Sequence, residues 1–266
     1  MPRDSRDLLN ELYHQAKLPS KSSAPWIWFF DFDGTLADLA PHPDAVHLAP
    51  GLADDLVRLI EVPHQTVAIV SGRPLPDLVR HLPPHQGLWI SGDHGAEVKG
   101  PNGFFWRHPY QGAIQDHVQT LAADLTDRLN NLIGVWIELK PTSLSIHYRQ
   151  APESSITRLN QIVETFAWTD EWTIKSAHRC YEVRAVKGPS KSDAVRVIRN
   201  AIDPMGVSLC LAWGDDVTDE DMFVALPNGI TVKIGSLGTA THARFQVDST
   251  TAVRELIHQM ADYWTH

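Results

Sequence analysis

Asp31 and Asp33 stand two positions apart in DFDGTL, residues 31–36, directly behind the unbroken apolar run WIWFF. Two carboxylates at that spacing can split a hydrolysis into two displacements. One accepts the transferred group as a nucleophile, while the other protonates the departing oxygen and then activates water. Asp31 and Asp33 suit these roles in that order, and Gly34 can take a turn conformation that a side chain resists. A single Asp before Gly often does no more than close a strand. A pair of them at the end of a buried strand points to chemistry.

A second acidic cluster, GDDVTDED over residues 214–221, follows another apolar run, LCLAW. A hard divalent cation takes oxygen ligands, so carboxylates from two strand ends plus a phosphate oxygen make a suitable shell. Asp215 is the foremost candidate, with Asp216 and Asp219 behind it. Glu220 and Asp221 fit equally the acidic first turn of a helix. Ser71, in VSGRP, could bond phosphoryl oxygens or cap a helix. Phosphoryl transfer also needs a fixed cation. VKGPSKSDAV supplies Lys187 and Lys191; the composition of the segment does not decide between them, and Lys191, immediately before a helix, is preferred.

These residues need a scaffold that gathers several strand ends. WIWFF reads as a strand buried on both faces of a parallel sheet. A helical pattern over 52–60, a β-branched run over 66–70 and a helical pattern over 76–81 continue a βαβ rhythm, and ligands of such sheets bind at the carboxyl ends of strands. The rhythm resumes with a helix over 192–202, a strand over 208–213 ending at Gly214 and Asp215, and a strand over 230–234. Between the two stretches the pattern changes to a helix (114–132), a strand pair (135–140 and 143–148), a helix (153–166) and a strand near 181–183. The expected architecture is therefore α/β: a Rossmann-like, doubly wound parallel sheet over 25–107 and 186–266, interrupted by an α+β module over 108–185. Leu8, Leu9, Leu12 and Tyr13 mark a helix near the N-terminus, followed by a Pro/Ser-rich linker, so residues 1–24 form a helix and linker.

Composition excludes several function classes. A formal charge of −9 over 266 residues, with no basic run, disfavours a nucleic-acid partner. The longest apolar run near the N-terminus has five residues, Trp26–Phe30, which predicts neither a signal peptide nor a membrane span. Two cysteines without metal or redox spacing suit a reducing cytoplasm. The 14 histidines form no HExxH pair, and the nine tryptophans do not alternate with basic residues, so both read as surface or packing residues.

The ordered set DFDGT, Ser71, a lysine before a helix and GDD resembles the haloacid dehalogenase-like phosphatases. Within that superfamily the chain is similar to the trehalose-6-phosphate phosphatase family, from about Trp26 to the C-terminus. The shared motifs are SGR (71–73), GDHGAE (92–97), ELKPTSLSIHYR (138–149), EVR (182–184) and GDDVTDE. The resemblance implies an aspartyl-phosphate intermediate on Asp31 and acid–base work by Asp33. It implies Mg2+ held by Asp31, the Asp33 backbone carbonyl and Asp215, with Asp216 and Asp219 orienting metal waters. The family lysine falls on Lys191, although SKS replaces the usual SKG. The inserted module becomes a mobile cap, an α+β lid in which Glu138, Lys140 and Glu182 read sugar hydroxyls. Alternation puts Glu138 and Lys140 on one strand face. Gly72, Arg73, His94, His147 and Arg149 are further candidates for substrate contact; for His147 and Arg149 cap architecture is the alternative.

The implied activity is hydrolysis of trehalose 6-phosphate to trehalose and phosphate, after a trehalose-6-phosphate synthase. Sucrose 6-phosphate, glucosyl-3-phosphoglycerate or a hexose phosphate would suit the same core. A catalytically silent binding module is the alternative from a different class, and the joint presence of Asp31, Asp33 and Asp215 speaks against it.

Overall fold

The computed structural model describes residues 2–18, 24–40, 42–166, 168–177, 179–236 and 240–265. Most of the linker expected after the first helix, residues 19–23, lies outside the described residues. In chain order the elements begin with α1 (Ser5–Lys17), β1 (Trp26–Phe30), α2 (Leu52–Glu61), β2 (Gln65–Val70), α3 (Leu75–His81), β3 (Trp89–Gly92), β4 (Glu97–Lys99) and β5 (Phe105–Arg107). They continue with α4 (Gln111–Leu129), β6 (Trp136–Leu139), β7 (Ser143–His147), α5 (Glu153–Thr165), β8 (Trp172–Ala177) and β9 (Cys180–Ala185). The last run is α6 (Lys191–Ile202), β10 (Leu209–Gly214), α7 (Glu220–Ala225), β11 (Ile230–Ile234), β12 (Phe245–Val247) and α8 (Thr250–Thr265).

The chain divides into two compact units, one of residues 1–106 and 190–266, the other of residues 107–189. The first is built on an eight-stranded sheet in the order β12-β11-β10-β1-β2-β3-β4-β5. Neighbours from β12 to β3 run parallel, and β4 turns back antiparallel on β3. The expected doubly wound parallel sheet is present, with helices on both faces. Alternation along β1 shows how: Trp26, Trp28 and Phe30 join the core formed with α1, α2, α3 and α8, while Ile27 and Phe29 join the core formed with α6 and α7. Every β1 side chain is thus withdrawn from water, as a central strand of such a sheet requires.

The aromatic residues of β1 form a stack that continues into β10. Ring centroids lie 5.8 Å apart for Trp26 and Trp28, 6.1 Å for Trp28 and Phe30, and 5.7 Å for Phe30 and Trp213. The Trp28 indole donates to Gln65 Oε1 at 2.7 Å, so its one polar atom is satisfied inside the sheet layer. The chain order also places β1 between β10 and β2, where the winding reverses direction. In such sheets ligands bind outside the carboxyl ends of the strands at this reversal, where β1 ends at Phe30 before Asp31 and β10 ends at Gly214 before Asp215.

The second unit holds a four-stranded sheet in the order β6-β7-β9-β8, all antiparallel, and two helices. One face carries Leu144, Ile146 and Val183 into a core with Ile114, Val118 and Leu125 of α4 and Leu159 and Val163 of α5. Period-2 alternation then sends Glu138, Ser145 and Glu182 to the other face. Among the described residues no helix is long and apolar enough to cross a membrane.

Candidate active site

The end of β1 delivers Asp31 beside the end of β10. The Asp31 amide donates to the Trp213 carbonyl at 2.9 Å, carrying the ladder one residue past the strand. Two glycines let the acidic groups converge. Gly34 has φ +82°, and a Cβ there would sit 2.2 Å from Asp215 Oδ2. A Cβ on Gly214 would sit 2.2 Å from Asp219 Cγ. A side chain at either position would push the neighbouring carboxyl group out of place. Carboxylate oxygens of Asp31, Asp215 and Asp219 all lie within 4.8 Å of one another.

Lys191 closes this cluster. Its Nζ donates to Asp31 Oδ1 and to Asp219 Oδ1, each at 2.6 Å. It is the first residue of α6, whose N-cap Ser190 donates its amide to Asp193 Oδ2 at 2.9 Å in a capping box. The ammonium is 2% exposed. Burial opposes its charge, but the two carboxylates hold its pKa above the ordinary lysine value. Burial pushes the Asp31 carboxyl well above the usual range, with Lys191 opposing the rise and Asp219 and Asp215 adding to it. Burial likewise pushes Asp219 up to about 6, again against the pull of Lys191.

Three carboxyl groups gather here against two ammonium groups, Lys191 on Asp31 and Asp219 and Lys233 on the Asp215 backbone carbonyl, so acidic groups outnumber the cations. That surplus, presented entirely by hard oxygen donors, fits a divalent cation. Lys187, the other lysine of the segment, is exposed in the turn after β9. Asp216 faces a different task. Its side chain caps the short turn over Val217–Asp219, and its amide donates to Asp219 Oδ2 at 2.9 Å. It stands outside the three-carboxylate group and orients Asp219 for Lys191. Lys233 of β11, which the sequence does not single out, donates to the Asp215 backbone carbonyl.

Asp33 does not join the acidic cluster through its side chain. Both of its oxygens are taken by Arg73: Nη2 donates to Oδ1 and Nε to Oδ2, each at 2.7 Å. Arg73 in turn donates from Nη1 to Asp77 Oδ2 at 2.9 Å and approaches His81 Nε2 at 3.3 Å. The Arg73 amide donates to Ser71 Oγ at 3.1 Å, and Ser71 is 1% exposed. The GDHG segment is zipped onto this loop. Asp93 N donates to Arg73 O at 2.7 Å and His94 N to Ser71 O at 3.0 Å. Asp93 and His94 both hold positive φ, 48° and 54°, a left-handed conformation that side chains rarely adopt. The buried His94 ring covers Gly72. Ser71, Gly72, Arg73 and His94 are therefore one interlocked loop pair beside Asp33.

The candidates of the second unit gather on the polar face of its sheet. Glu138, Ser145, Glu182 and Lys175 are consecutive partners across β6, β7, β9 and β8. Lys140 Nζ lies 4.0 Å from both Glu138 Oε2 and Glu182 Oε1. His147 Nε2 lies 2.9 Å from Glu138 Oε2, and its ring stacks on Trp136 with centroids 4.0 Å apart. Charged and hydroxyl groups on a rigid sheet beside an aromatic wall are the donor and acceptor set that a polyhydroxylated ligand uses. Arg149 is exposed in the turn after β7. Cys180 shares the His147 row, and burial pushes its thiol up to about 12, which removes it as a nucleophile.

The Asp77 and His81 partners of Arg73 escape the sequence reading, as does Lys233. Asp77 follows Arg73 by four residues, but Arg73 precedes α3, so helical spacing alone does not pair them.

Residues 29–251 match the profile of the family described as trehalose-phosphatase. The chain is 32% identical over 241 residues to a trehalose-phosphate phosphatase of Mycobacterium marinum, covering 88% of this chain and 60% of that protein. A trehalose-phosphate phosphatase of Mycobacterium tuberculosis is 30% identical over the same length with the same coverage. The chain thus spans about 60% of the length of these relatives. Among solved structures, the C-terminal domain of C. albicans trehalose-6-phosphate phosphatase superposes with a TM-score of 0.77 at 23% identity, over 98% of this chain and 99% of that one. At that identity the superposition speaks for the fold.

Proposed function

Because the chain belongs to the trehalose-phosphatase family, we propose that it hydrolyses trehalose 6-phosphate to trehalose and phosphate through a phosphoryl group carried on Asp31. The observation that carries this reading is the buried cluster in which Lys191 joins Asp31 to Asp219 beside Asp215. A carboxylate pressed into a dry site next to a fixed ammonium is an activated oxygen nucleophile whose developing charges are already opposed. Lys191 holds the Asp31 carboxylate in place and faces the incoming phosphoryl oxygens with positive charge. Asp33, two residues on, gives a proton to the departing sugar oxygen and takes one from the attacking water. Ser71 and the neighbouring loop amides offer hydrogen bonds to the phosphoryl group.

The family implies a divalent metal, and we assign magnesium to Asp31, the Asp33 backbone carbonyl and Asp215. When bound, such an ion neutralises phosphoryl charge and fixes its orientation. Asp219 stays with Lys191, and Asp216 braces Asp219. The unit of residues 107–189 serves as the cap, its polar face reading sugar hydroxyls through Glu138, Lys140 and Glu182, with His147 supporting Glu138. We place the enzyme in the cytoplasm, downstream of a synthase that joins a sugar phosphate to a second sugar.

The test is phosphate release from trehalose 6-phosphate, sucrose 6-phosphate, glucose 6-phosphate and glucosyl-3-phosphoglycerate, with magnesium and with chelator, for the native protein and Asp31→Asn. Release from trehalose 6-phosphate that is lost with chelator and with Asp31→Asn supports the whole reading. Faster release from another ester keeps the chemistry and removes the substrate; release that survives Asp31→Asn removes the mechanism.

A further inference from the structure

Arg73 looks at first like a phosphate-binding arginine, yet its guanidinium is committed to side chains of the protein. Two donors form a fork on Asp33, with N to O distances of 2.7 Å, and a third meets Asp77 at 2.9 Å. The planar group also lies over the Phe32 ring, 5.4 Å from its centroid. A fork of this kind fixes direction as well as distance, which a lysine in the same place would not do.

The two partners differ in freedom. The Arg73 side chain is 9% exposed and is held by α3 through Asp77, with His81 at 3.3 Å. Asp77 itself is secured: burial alone would raise its pKa, but bonds from Arg80 and Arg73 hold it below the ordinary carboxylate value. The Asp33 side chain is 30% exposed and sits on the turn after β1. Arg73 is thus the more buried and more heavily bonded partner of the pair, and Asp33 the more exposed one.

We infer that Arg73, braced by Asp77 and His81, is a positioning residue that sets the orientation of the Asp33 carboxylate, and that its contribution to turnover passes through Asp33. The inference rests on the phosphatase reading, because it needs Asp33 to be the proton-transferring group. It separates two roles open to any arginine near a phosphoryl site. A phosphate ligand acts on substrate binding whether or not Asp33 is intact. A positioning residue loses its effect once the group it positions is gone.

The experiment is a double-mutant cycle on phosphate release from trehalose 6-phosphate, with Arg73→Gln, Asp33→Asn and the double variant, and Asp77→Asn as a milder variant that loosens Arg73 without touching Asp33. Circular dichroism and thermal melting identify the folded variants. Arg73→Gln is expected to lower kcat about 10- to 100-fold with KM within about threefold, an effect typical of a misoriented acid–base group. In the Asp33→Asn background the same change should cost no more than about twofold. Asp77→Asn should lower kcat less, also at nearly constant KM. A tenfold rise in KM with kcat preserved, or an equal loss in both backgrounds, overturns the inference. Should Arg73→Gln fail to fold, Asp77→Asn in both backgrounds decides by the same criterion. Turnover that survives Asp31→Asn would instead bring down the phosphatase reading, a separate outcome.

Discussion

Replacing Lys191 by Met is the sharpest test of the buried charge cluster. The ammonium is 2% exposed, and its two partners, Asp31 and Asp219, are 7% and 0% exposed at their side chains. Met keeps most of the volume, so the cavity term is small and the loss is electrostatic. At 2.6 Å each carboxylate–ammonium contact is worth about 6 kcal/mol at an effective dielectric constant of 20, before desolvation. Desolvation of the ammonium offsets much of that, but removing one partner strands the others, at a cost of about 3–5 kcal/mol. For a chain of this size such a loss lowers the melting temperature by roughly 10 °C. The pH dependence has a definite sign. Asp219 already titrates near 6 in the folded protein because burial raises it. Without Lys191 to oppose that rise, its folded pKa climbs further above the unfolded value. A carboxyl raised in this way costs stability as pH rises through its folded pKa, and takes up a proton as pH falls. The gap between the native protein and Lys191→Met should therefore be widest near pH 8 and shrink toward pH 5.5. Urea unfolding in chelator, across that range, measures it. A gap under 1 kcal/mol at pH 7.5, or one that widens toward acid, would refute the account.

Two further substitutions probe the scaffold. Phe30→Ala removes a fully buried ring held between Trp28 and Trp213, and should cost about 3–5 kcal/mol in urea unfolding; a loss under 1.5 kcal/mol would mean that the stack contributes little to the core. Gly34→Ala places a methyl 2.2 Å from Asp215 Oδ2 at a φ of +82°, so it should cut magnesium-dependent phosphate release at least about tenfold while costing stability only about 1–3 kcal/mol; an unchanged metal requirement and rate would show that the turn gives way without moving Asp215.

The sheet core is legible in the sequence where burial is two-sided. WIWFF and LCLAW have no polar side to hide, and only a central parallel strand buries every residue in such a run. The helix now seen at Ser5–Lys17 is readable from its spacing for a related reason, since Leu8 and Leu12 insert into the same core as Trp26. β8 is much harder to see. Trp172, Ile174 and Ser176 face one way and Thr173 and Lys175 the other, a half-polar alternation that acquires meaning only when β9 lies beside it. The short strand β12 depends likewise on its neighbour β11. The C-terminal helix is a different omission: Val253, Leu256, Ile257, Met260 and Ala261 are its buried face and follow helical spacing, yet no chemical motif draws attention to them.

The candidate site divides along a similar line. Residues that act through type and position on a strand end, Asp31, Asp215 and Ser71, can be found one motif at a time, because strand ends concentrate ligand chemistry. Pairings across the fold cannot. Lys191 reaches Asp31 over 160 residues and Asp219 over 28, and neither separation is a helical or strand period. The sequence leaves Lys187 and Lys191 as alternatives because only burial distinguishes them, and burial belongs to the packed sheet. The same reasoning governs Asp33. Its type suggests proton transfer, but its orientation is set by an arginine 40 residues away, itself held by the first turns of α3. A motif therefore names the groups that react, while the direction in which each one points comes from side chains that carry no motif.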